Sequence, residues 1–326
     1  MRVQVILSMA PYDTHSKEWN ETMEKTLQKT FRSLGTVNTI AIPNCGNPMA
    51  LREAERRVLE LDDRLSVFKE SSEISRINRA AGLEPVKVHS DTLDLIRTAL
   101  RFSELSEGTF DISARPMVDL WGIGKKGEQL PTPREIAEVN PLVEFRDILP
   151  NEVSGTVMLR RPGQALDLGG IAKGYAADEV RRILSEHGVK DALINLGGTV
   201  IVMGAPRMIG IQNPKKDIGV PMGRVRVSNR ALVTSGSYEQ YFMRDGVRYH
   251  HIIDPRTGFP AQSGLLGVTL IGESAMELDA LSTAVFILGM ERGLRLLEPR
   301  GIQAVFITEA LDVFTTPALK DEFSIL

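Results

Sequence analysis

The chain has 326 residues, of which 42% are apolar and 25% charged, and a formal net charge of −3. That size and balance describe a folded globular protein with a full core, and they exclude the basic stripe of a nucleic-acid binder. The single cysteine, Cys45, excludes an internal disulfide and a cysteine zinc centre, and no run approaches the ~20 apolar residues of a membrane-spanning helix.

Residues 3–9 are a short apolar run after one arginine, with no small-x-small cleavage site and no lipid-modified cysteine behind them. A strand or an irregular start is expected there. The expected location is cytoplasmic, or periplasmic if the natural start carries a signal absent from this sequence. Residues 34–42 alternate like a strand. Asn47-Pro48 opens a helix, with Asn as cap and Pro in the first turn, and Leu51, Ala54, Val58, Leu61 and Leu65 mark its inner face. A polar loop follows, with a short helical piece at 73–80 and with Phe68 close to Arg76 and Asn78. Ser90 is expected to cap a second long helix, with Leu93, Ile96, Leu100 and Leu105 inward and Gly108 past its end.

Gly108-Thr109-Phe110-Asp111-Ile112 comes next, then Arg115-Pro116-Met117 and Leu120-Trp121-Gly122. Aromatics beside glycines at this point either pack in the core or flank a planar ring. Residues 125–133 read as a loop, 135–139 as a short helix and 142–162 as a hairpin or two irregular strands.

The stretch 165–180, ALDLGGIAKGYAADEV, passes from an apolar run carrying Asp167, through Gly169-Gly170, into a helix. A helix start leaves backbone N–H groups unpaired and carries about +0.5 of a charge, so it attracts an anion. Lys173 falls in the first turn, where a cation opposes that dipole. A phosphate or a nearby acid is expected to compensate it. The bland reading is a strand-to-helix connection with a surface lysine.

Beyond it, 191–204 reads as one strand interrupted at Gly197-Gly198, where glycines mark a bulge or the close approach of a ligand. Residues 209–212 and 224–234 continue the strand pattern, and 248–253 is a strand carrying His250 and His251. Neighbours on a strand face opposite sides, so at most one of the two histidines serves a given site. A turn at 254–260 and a strand at 266–272 precede a helix at 274–288 that Gly289 ends. A shorter helix at 291–297 and a last hairpin at 302–308 and 311–315 complete the chain. Strands occur in groups rather than in strict alternation with helices, which predicts an α+β fold.

Several chemistries are excluded by absent motifs. GGIAKGYA lacks the Gly-Lys-Ser/Thr ending of a P-loop and the G-x-G-x-x-G spacing of a dinucleotide fold. No G-x-S-x-G elbow accompanies Ser235 and Ser237, and there are no zinc-ligand patterns. The remaining polar set is rich in oxygen: Asp111, Asp167, Asp254, Asp279, Ser282 and Thr283. Asp279 and Thr283 are four apart on one helix and share a face. A carboxylate and a hydroxyl on an otherwise apolar helix suit a hard cation such as Mg²⁺, or else a buried Asp bonded to the Thr and the backbone.

Seven blocks occur in order: SVFKESSEISRIN, GTFDISARPMVDLWG, LDLGGIAKGYAADEV, INLGG, TSGSYEQYF, YHHIIDPRTG and LDALSTAVFILG. Together they resemble the ApbE family of FAD:protein FMN transferases, over residues 34–326. Residues 1–33 are then an N-terminal extension and 34–326 the FAD-binding flavin transferase domain. The resemblance implies Mg²⁺-dependent cleavage of the FAD pyrophosphate. FMN passes to a Ser or Thr hydroxyl of an acceptor protein bearing a Ser/Thr-Gly-Ala-Ser/Thr segment, and AMP leaves.

It further implies that Leu34, Phe68, Thr109, Phe110, Asp111, Asp167, Lys173 and His251 contact FAD, and that Gly170 (through its carbonyl), Asp279 and Thr283 hold Mg²⁺. His251, Asp279 and Lys173 carry the chemistry. His251 is the natural general base near neutral pH; alternatively it orients a phosphate while Asp254 or Asp279 meets the proton. Leu34 replaces a family Met, and Phe68 stands where many members have Tyr, keeping the ring but losing a hydroxyl. Two rival activities are an FAD pyrophosphatase, in which water attacks instead of the acceptor, and a flavin-binding protein without catalysis.

Overall fold

The computed structural model describes residues 26–44, 46–124, 128–217 and 219–326. Cys45 and the expected start at 3–9 lie outside these residues, as does part of the loop at 125–133.

The chain is α+β, as its grouping of strands predicts. Its centre is an eight-stranded sheet of β1 (Thr26–Ser33), β2 (Thr36–Pro43), β3 (Ala192–Leu196), β4 (Thr199–Met203), β5 (Arg230–Gly236), β6 (Leu265–Gly272), β7 (Gln303–Thr308) and β8 (Val313–Thr315). These strands lie side by side in chain order, and every neighbouring pair is antiparallel. The sheet is therefore a meander, and the α-helices and most of the smaller strands are inserted between its strands, with the C-terminal strand Phe323–Ile325 following it. The edge strand β1 belongs to the segment read from sequence as an extension.

The inner strands are apolar on both faces because both faces are covered, whereas the edge strand β1 carries Gln28, Lys29 and Arg32. Successive residues alternate between two cores: Ile40 and Ile42 face one way and Ala41 the other, and Ile201 opposes Val200 and Val202. The first core is closed by α1 (Pro48–Leu65), α6 (Ala172–Glu186) and α7 (Ala275–Leu297), which contribute Val58, Val180, Leu278 and Val285 among others. The second is closed by a three-stranded sheet of Arg207–Gln212, Pro221–Val227 and Phe323–Ile325.

Helix α1 starts as predicted, with Asn47 Oδ1 accepting from Met49 N at 2.9 Å and Pro48 in the first turn. The short α2 (Glu73–Arg79) lies in the polar loop. Helix α3 (Ser90–Leu105) begins one residue earlier than a Ser90 cap would give. His89 holds the cap position without a side-chain capping bond, and its imidazole is hydrogen-bonded to buried Glu73. A small helical annexe follows: α4 (Arg115–Trp121) and α5 (Pro133–Val139), whose Thr132–Glu135 capping box fixes its start. Trp121 is fully buried there with Met117, Ile123, Ile136 and Ile253, and its Nε1 donates to Gly258 O at 2.8 Å. It is a core residue rather than a wall for a ring. Residues 142–162 contain the expected hairpin, Ile148–Asn151 against Thr156–Leu159.

Three strand readings are corrected. Gly197-Gly198 is the two-residue turn of the β3–β4 hairpin, not a bulge, with φ of 62° and 99° that only glycine adopts without strain. Residues 224–234 are two strands in different sheets, parted at Asn229, which takes a left-handed φ of 51°. Residues 248–253 break after His250, so His251 lies at a bend between Val247–His250 and Ile253–Asp254. The last helix does break at Gly289, with φ 78° and ψ 175°.

Candidate functional site

The site forms where the start of α6 meets the first turns of α7, at the end of β5. Two small features set this crossing. A Cβ on Gly174 would lie 2.2 Å from the carbonyl oxygen of Ala275, so only glycine lets the helices approach this closely. Asp178, one turn further along α6, accepts from Ala275 N, Met276 N and Ser274 Oγ at 3.0–3.1 Å, so α6 caps α7.

Asp279 is thereby delivered to the start of α6. Its Oδ2 accepts from Gly174 N at 2.9 Å, and its Oδ1 lies 3.7 Å from Lys173 Nζ. The ammonium also donates to Gly169 O at 3.0 Å. The compensation expected at this helix start is thus supplied by an acid, brought from the other end of the sequence. Asp279 is buried, and Ser282 Oγ ties its turn to β5 through Ser235 Oγ at 2.9 Å. Thr283 lies on the same face: its Oγ1 is 3.7 Å from where a Cβ of Gly170 would stand, and the Phe110 ring is 3.1 Å from that point. A side chain at 170 would press on Phe110 and crowd Thr283. Gly170, Thr283, Asp279 and Lys173 are therefore brought together.

The approach to Gly170 is held by its neighbours. Asp167 Oδ1 accepts from Gly169 N at 2.8 Å, and Asp167 N donates to Ile112 O at 2.8 Å, which seats the stretch on the Phe110 block. Asn78 pairs with the backbone of Leu166 through both its side-chain amide atoms, at 2.7 and 3.0 Å. Arg115, which sequence reading did not select, binds Asp167 Oδ2 at 3.2 Å and Asp119 at 2.7 Å, and its guanidinium lies 5.2 Å from the Phe68 ring centroid. Phe68 is 75% exposed. A cleft of about 850 Å³ opens here, with Phe68, Ser75, Asn78 and Arg115 among its walls. Arg115 lies inside the GTFDISARPMVDLWG block, but nothing in its local sequence distinguished it as a contact of Asp167.

Other predicted contacts are placed further back. Phe110 is buried and forms the floor under Gly170. Thr109 is fully buried, its hydroxyl bonded to Ser106 O at 2.9 Å. Asp111 accepts from Ser113 N and Oγ at 2.7 Å and from Phe145 N at 3.2 Å, and burial raises its carboxyl to about 6. Leu34 occupies the β1–β2 turn with φ 52°, packed on the first core. That turn adjoins the Gly197-Gly198 turn, since a Cβ on Gly197 would lie 2.4 Å from Thr36 Cγ2.

The two histidines separate because the strand ends at His250 and His251 sits at the bend beyond it. His250 is buried, bonded to Ala261 O at 3.0 Å and set edge-on against Phe286. His251 N and Nδ1 both lie against Gln240 O, at 3.0 and 3.2 Å. A neutral ring that donates from Nδ1 leaves the Nε2 lone pair free. Burial of the imidazole pushes its pKa down to about 4, and the charges of His250 and Lys173 push the same way. Asp254 is held by Arg256, whose Nε and Nη2 donate to its two carboxylate oxygens at 2.9 and 2.7 Å.

Among the described residues no group of three or more His, Cys, Asp or Glu side chains could hold a metal. The donors that do converge at Gly170 are oxygens: one carboxylate, one hydroxyl and the main chain. Such a set fits a small hard cation that completes its shell with substrate oxygens, and not a zinc ion. No helix among the described residues is long and apolar enough to cross a membrane.

The chain resembles known proteins throughout. The model of the ApbE family matches residues 34–306. An FAD:protein FMN transferase of Klebsiella pneumoniae is 38% identical over 81% of this chain and 83% of its own length. One of Treponema pallidum is 36% identical over 85% of this chain and 82% of its own. Among solved structures, the ApbE protein of Thermotoga maritima superposes with a TM-score of 0.84 at 30% identity, covering 91% of this chain and 99% of that one. The flavin transferase ApbE of Vibrio cholerae gives 0.81 at 28%, with the same coverage. The chain belongs to the ApbE family.

Proposed function

We propose that the protein transfers FMN from FAD to a Ser or Thr hydroxyl of an acceptor protein, releasing AMP. The observation that carries this reading is the convergence of Asp279, Thr283, Gly170 and Lys173 at the start of α6, with His251 within electrostatic reach of Lys173. Flavin transfer to protein is also the activity for which the curated relatives are named.

Phosphoryl transfer is mostly positioning and charge neutralisation. Asp279, Thr283 and the Gly170 carbonyl would hold Mg²⁺, which when bound neutralises the pyrophosphate oxygens. Lys173 adds a second positive charge at the same place, held rigidly by Gly169 O. The isoalloxazine or adenine ring is received in the cleft beside Phe68, whose exposed face offers a stacking surface. Asp167 is fixed by Arg115 and Gly169 N and presents its remaining lone pairs to the ligand's polar groups.

The acceptor hydroxyl must lose its proton as it attacks phosphorus. His251 takes it at Nε2, with Gln240 O fixing the tautomer through Nδ1. The new O–P bond forms on the FMN phosphorus, the P–O bond to the adenylate breaks, and AMP departs. The acceptor offers this hydroxyl from a Ser/Thr-Gly-Ala-Ser/Thr segment.

Incubation of the pure protein with FAD and Mg²⁺, with and without such an acceptor, tests the reading by intact mass and in-gel flavin fluorescence. An acceptor heavier by one FMN establishes the transferase. Free FMN and AMP without labelling would make the protein an FAD pyrophosphatase, and no product would make it a flavin binder.

A further inference from the structure

An open sheet edge runs up to His251. The strands Tyr241–Arg244 and Val247–His250 pair with each other, from Tyr241 opposite His250 to Arg244 opposite Val247, and with no third strand among the described residues. Asp245 and Gly246, with φ of 51° and 76°, form the two-residue turn, and two left-handed residues there suit the twist of a hairpin. At the other end, Gln240 O accepts from His251 N at 3.0 Å and lies 3.2 Å from His251 Nδ1. The hairpin thus begins and ends on the two residues that fix the proposed base.

That bond settles which backbone groups point outward. Facing residues in an antiparallel pair alternate between those that bond each other and those whose N–H and C=O turn away. Gln240 and His251 face each other and bond, so Phe242 with Tyr249 and Arg244 with Val247 are bonding pairs too. The N–H and C=O groups of Tyr241 and Met243 therefore point away from the hairpin, and no described residue bonds them.

The edge is also held in place. Phe242 stacks on Tyr249 with ring centroids 5.2 Å apart, and Tyr249 stacks on the buried Trp121 at 5.6 Å. On the opposite face the Arg248 guanidinium lies 4.4 Å from the Tyr241 ring centroid. Tyr241 and Met243 are exposed, and the strand contains no proline. An edge of this kind is a ready template for another strand.

We propose that the outer edge of Tyr241–Arg244 is the docking site of the acceptor protein, whose hydroxyl-bearing segment adds to it as an extended strand. The inference rests on the transfer reading and on the role given there to His251. Transfer needs a polypeptide whose hydroxyl comes to His251, and this edge starts at the residue next to Gln240. Its four residues match the length of a Ser/Thr-Gly-Ala-Ser/Thr segment. Main-chain bonds to Tyr241 and Met243 hold the segment in register, as in other strand additions. The small Gly and Ala side chains let its backbone approach closely.

The test uses the full chain with FAD, Mg²⁺ and a small carrier protein ending in a Ser-Gly-Ala-Thr tail. Met243→Pro removes an outward N–H and no hairpin bond, a position at which an edge strand tolerates proline. It should raise KM for the carrier about tenfold or more, while FAD affinity in fluorescence titration stays at the wild-type value. Met243→Ala keeps the N–H and should raise KM far less. Hydrogen exchange of the wild type supplies an independent reading should the proline variant fail to fold. A carrier with its tail changed to Ala-Gly-Ala-Val cannot react, and it should slow exchange at the Tyr241 and Met243 amides. Wild-type KM in a folded Met243→Pro, or unslowed exchange at those amides while the wild type labels the reactive carrier, would overturn the docking site alone. A wild type that releases free FMN and AMP and never labels the carrier would instead overturn the transfer reading, and the docking site with it.

Discussion

Gly174 N donates to Asp279 Oδ2 at 2.9 Å, where α6 and α7 come so close that a Cβ at 174 would lie 2.2 Å from the Ala275 carbonyl oxygen. The bond joins the two halves of the site, since Gly174 follows Lys173 in the central motif and Asp279 shares a helix face with Thr283. It gives Asp279 a structural duty beside the chemical one proposed for it.

Those duties can be separated. Asp279→Asn retains an oxygen for Gly174 N but loses the charge, so it should fold with a melting temperature near wild type and lose at least ~10²-fold in transfer, the range seen when one preorganised charge-stabilising group is removed. Asp279→Ala should lose activity to the same degree and in addition about 1–3 kcal/mol of stability, because a buried N–H is left without its acceptor. Activity assays and thermal unfolding of the two variants distinguish the roles.

Gly174→Ala adds a methyl group 2.2 Å from a backbone oxygen. The helices must part, and overpacking of this kind costs about 1–3 kcal/mol. The same displacement draws Asp279 away from Lys173, so the variant should show both a lowered melting temperature and a lowered kcat. Substitution of Gly188, which lies outside the crossing, should leave kcat unchanged even though its left-handed φ of 75° strains any side chain there.

His251 is neutral above about pH 4, because burial disfavours its charged form. Its folded pKa is depressed below the ordinary value near 6.5, so between those two values the unfolded chain binds more protons and stability falls as pH drops. The rate should therefore show no loss attributable to His251 between pH 7 and 5. His251→Ala should retain FAD binding in fluorescence titration and lose roughly 10²–10⁴-fold in transfer. A near-normal rate in that variant would remove His251 from the proton step.

Phe68 presents an exposed ring to the cleft, with the Arg115 guanidinium 5.2 Å from its centroid. Aromatic stacking is worth about 0.5–1.5 kcal/mol beyond area burial, so Phe68→Ala should weaken FAD binding about 2- to 12-fold. Phe68→Tyr should preserve it. Titration of FAD fluorescence measures both.

Asp111 is raised to about 6 by burial, against a usual value near 4. The sign is opposite to that of His251: the folded state binds the extra proton, so stability is fullest at low pH and declines as pH rises through about 4 to 6. Asp111→Asn, neutral throughout, should flatten this part of the profile of melting temperature against pH.

The sequence by itself determined the α+β class and the inner face of α1. It also identified the break at Gly289 and the shared face of Asp279 and Thr283, because these follow from local periodicity, glycine conformation and spacing along one helix. It located the central motif and raised the expectation of an anion at the Lys173 helix start, beside the alternative of a plain surface lysine. It misread strand ends where one left-handed residue redirects the chain, as at Asn229, or where paired glycines turn a hairpin, as at Gly197-Gly198. Only the tertiary structure decided which acid compensates Lys173, how Asp178 caps a helix from another part of the chain, and why Arg115 belongs beside Asp167 and Phe68, residues distant in sequence. Those relations depend on how closely two helices and a sheet end can pack, and close approach is a property of side-chain volumes in three dimensions that no spacing along the chain encodes.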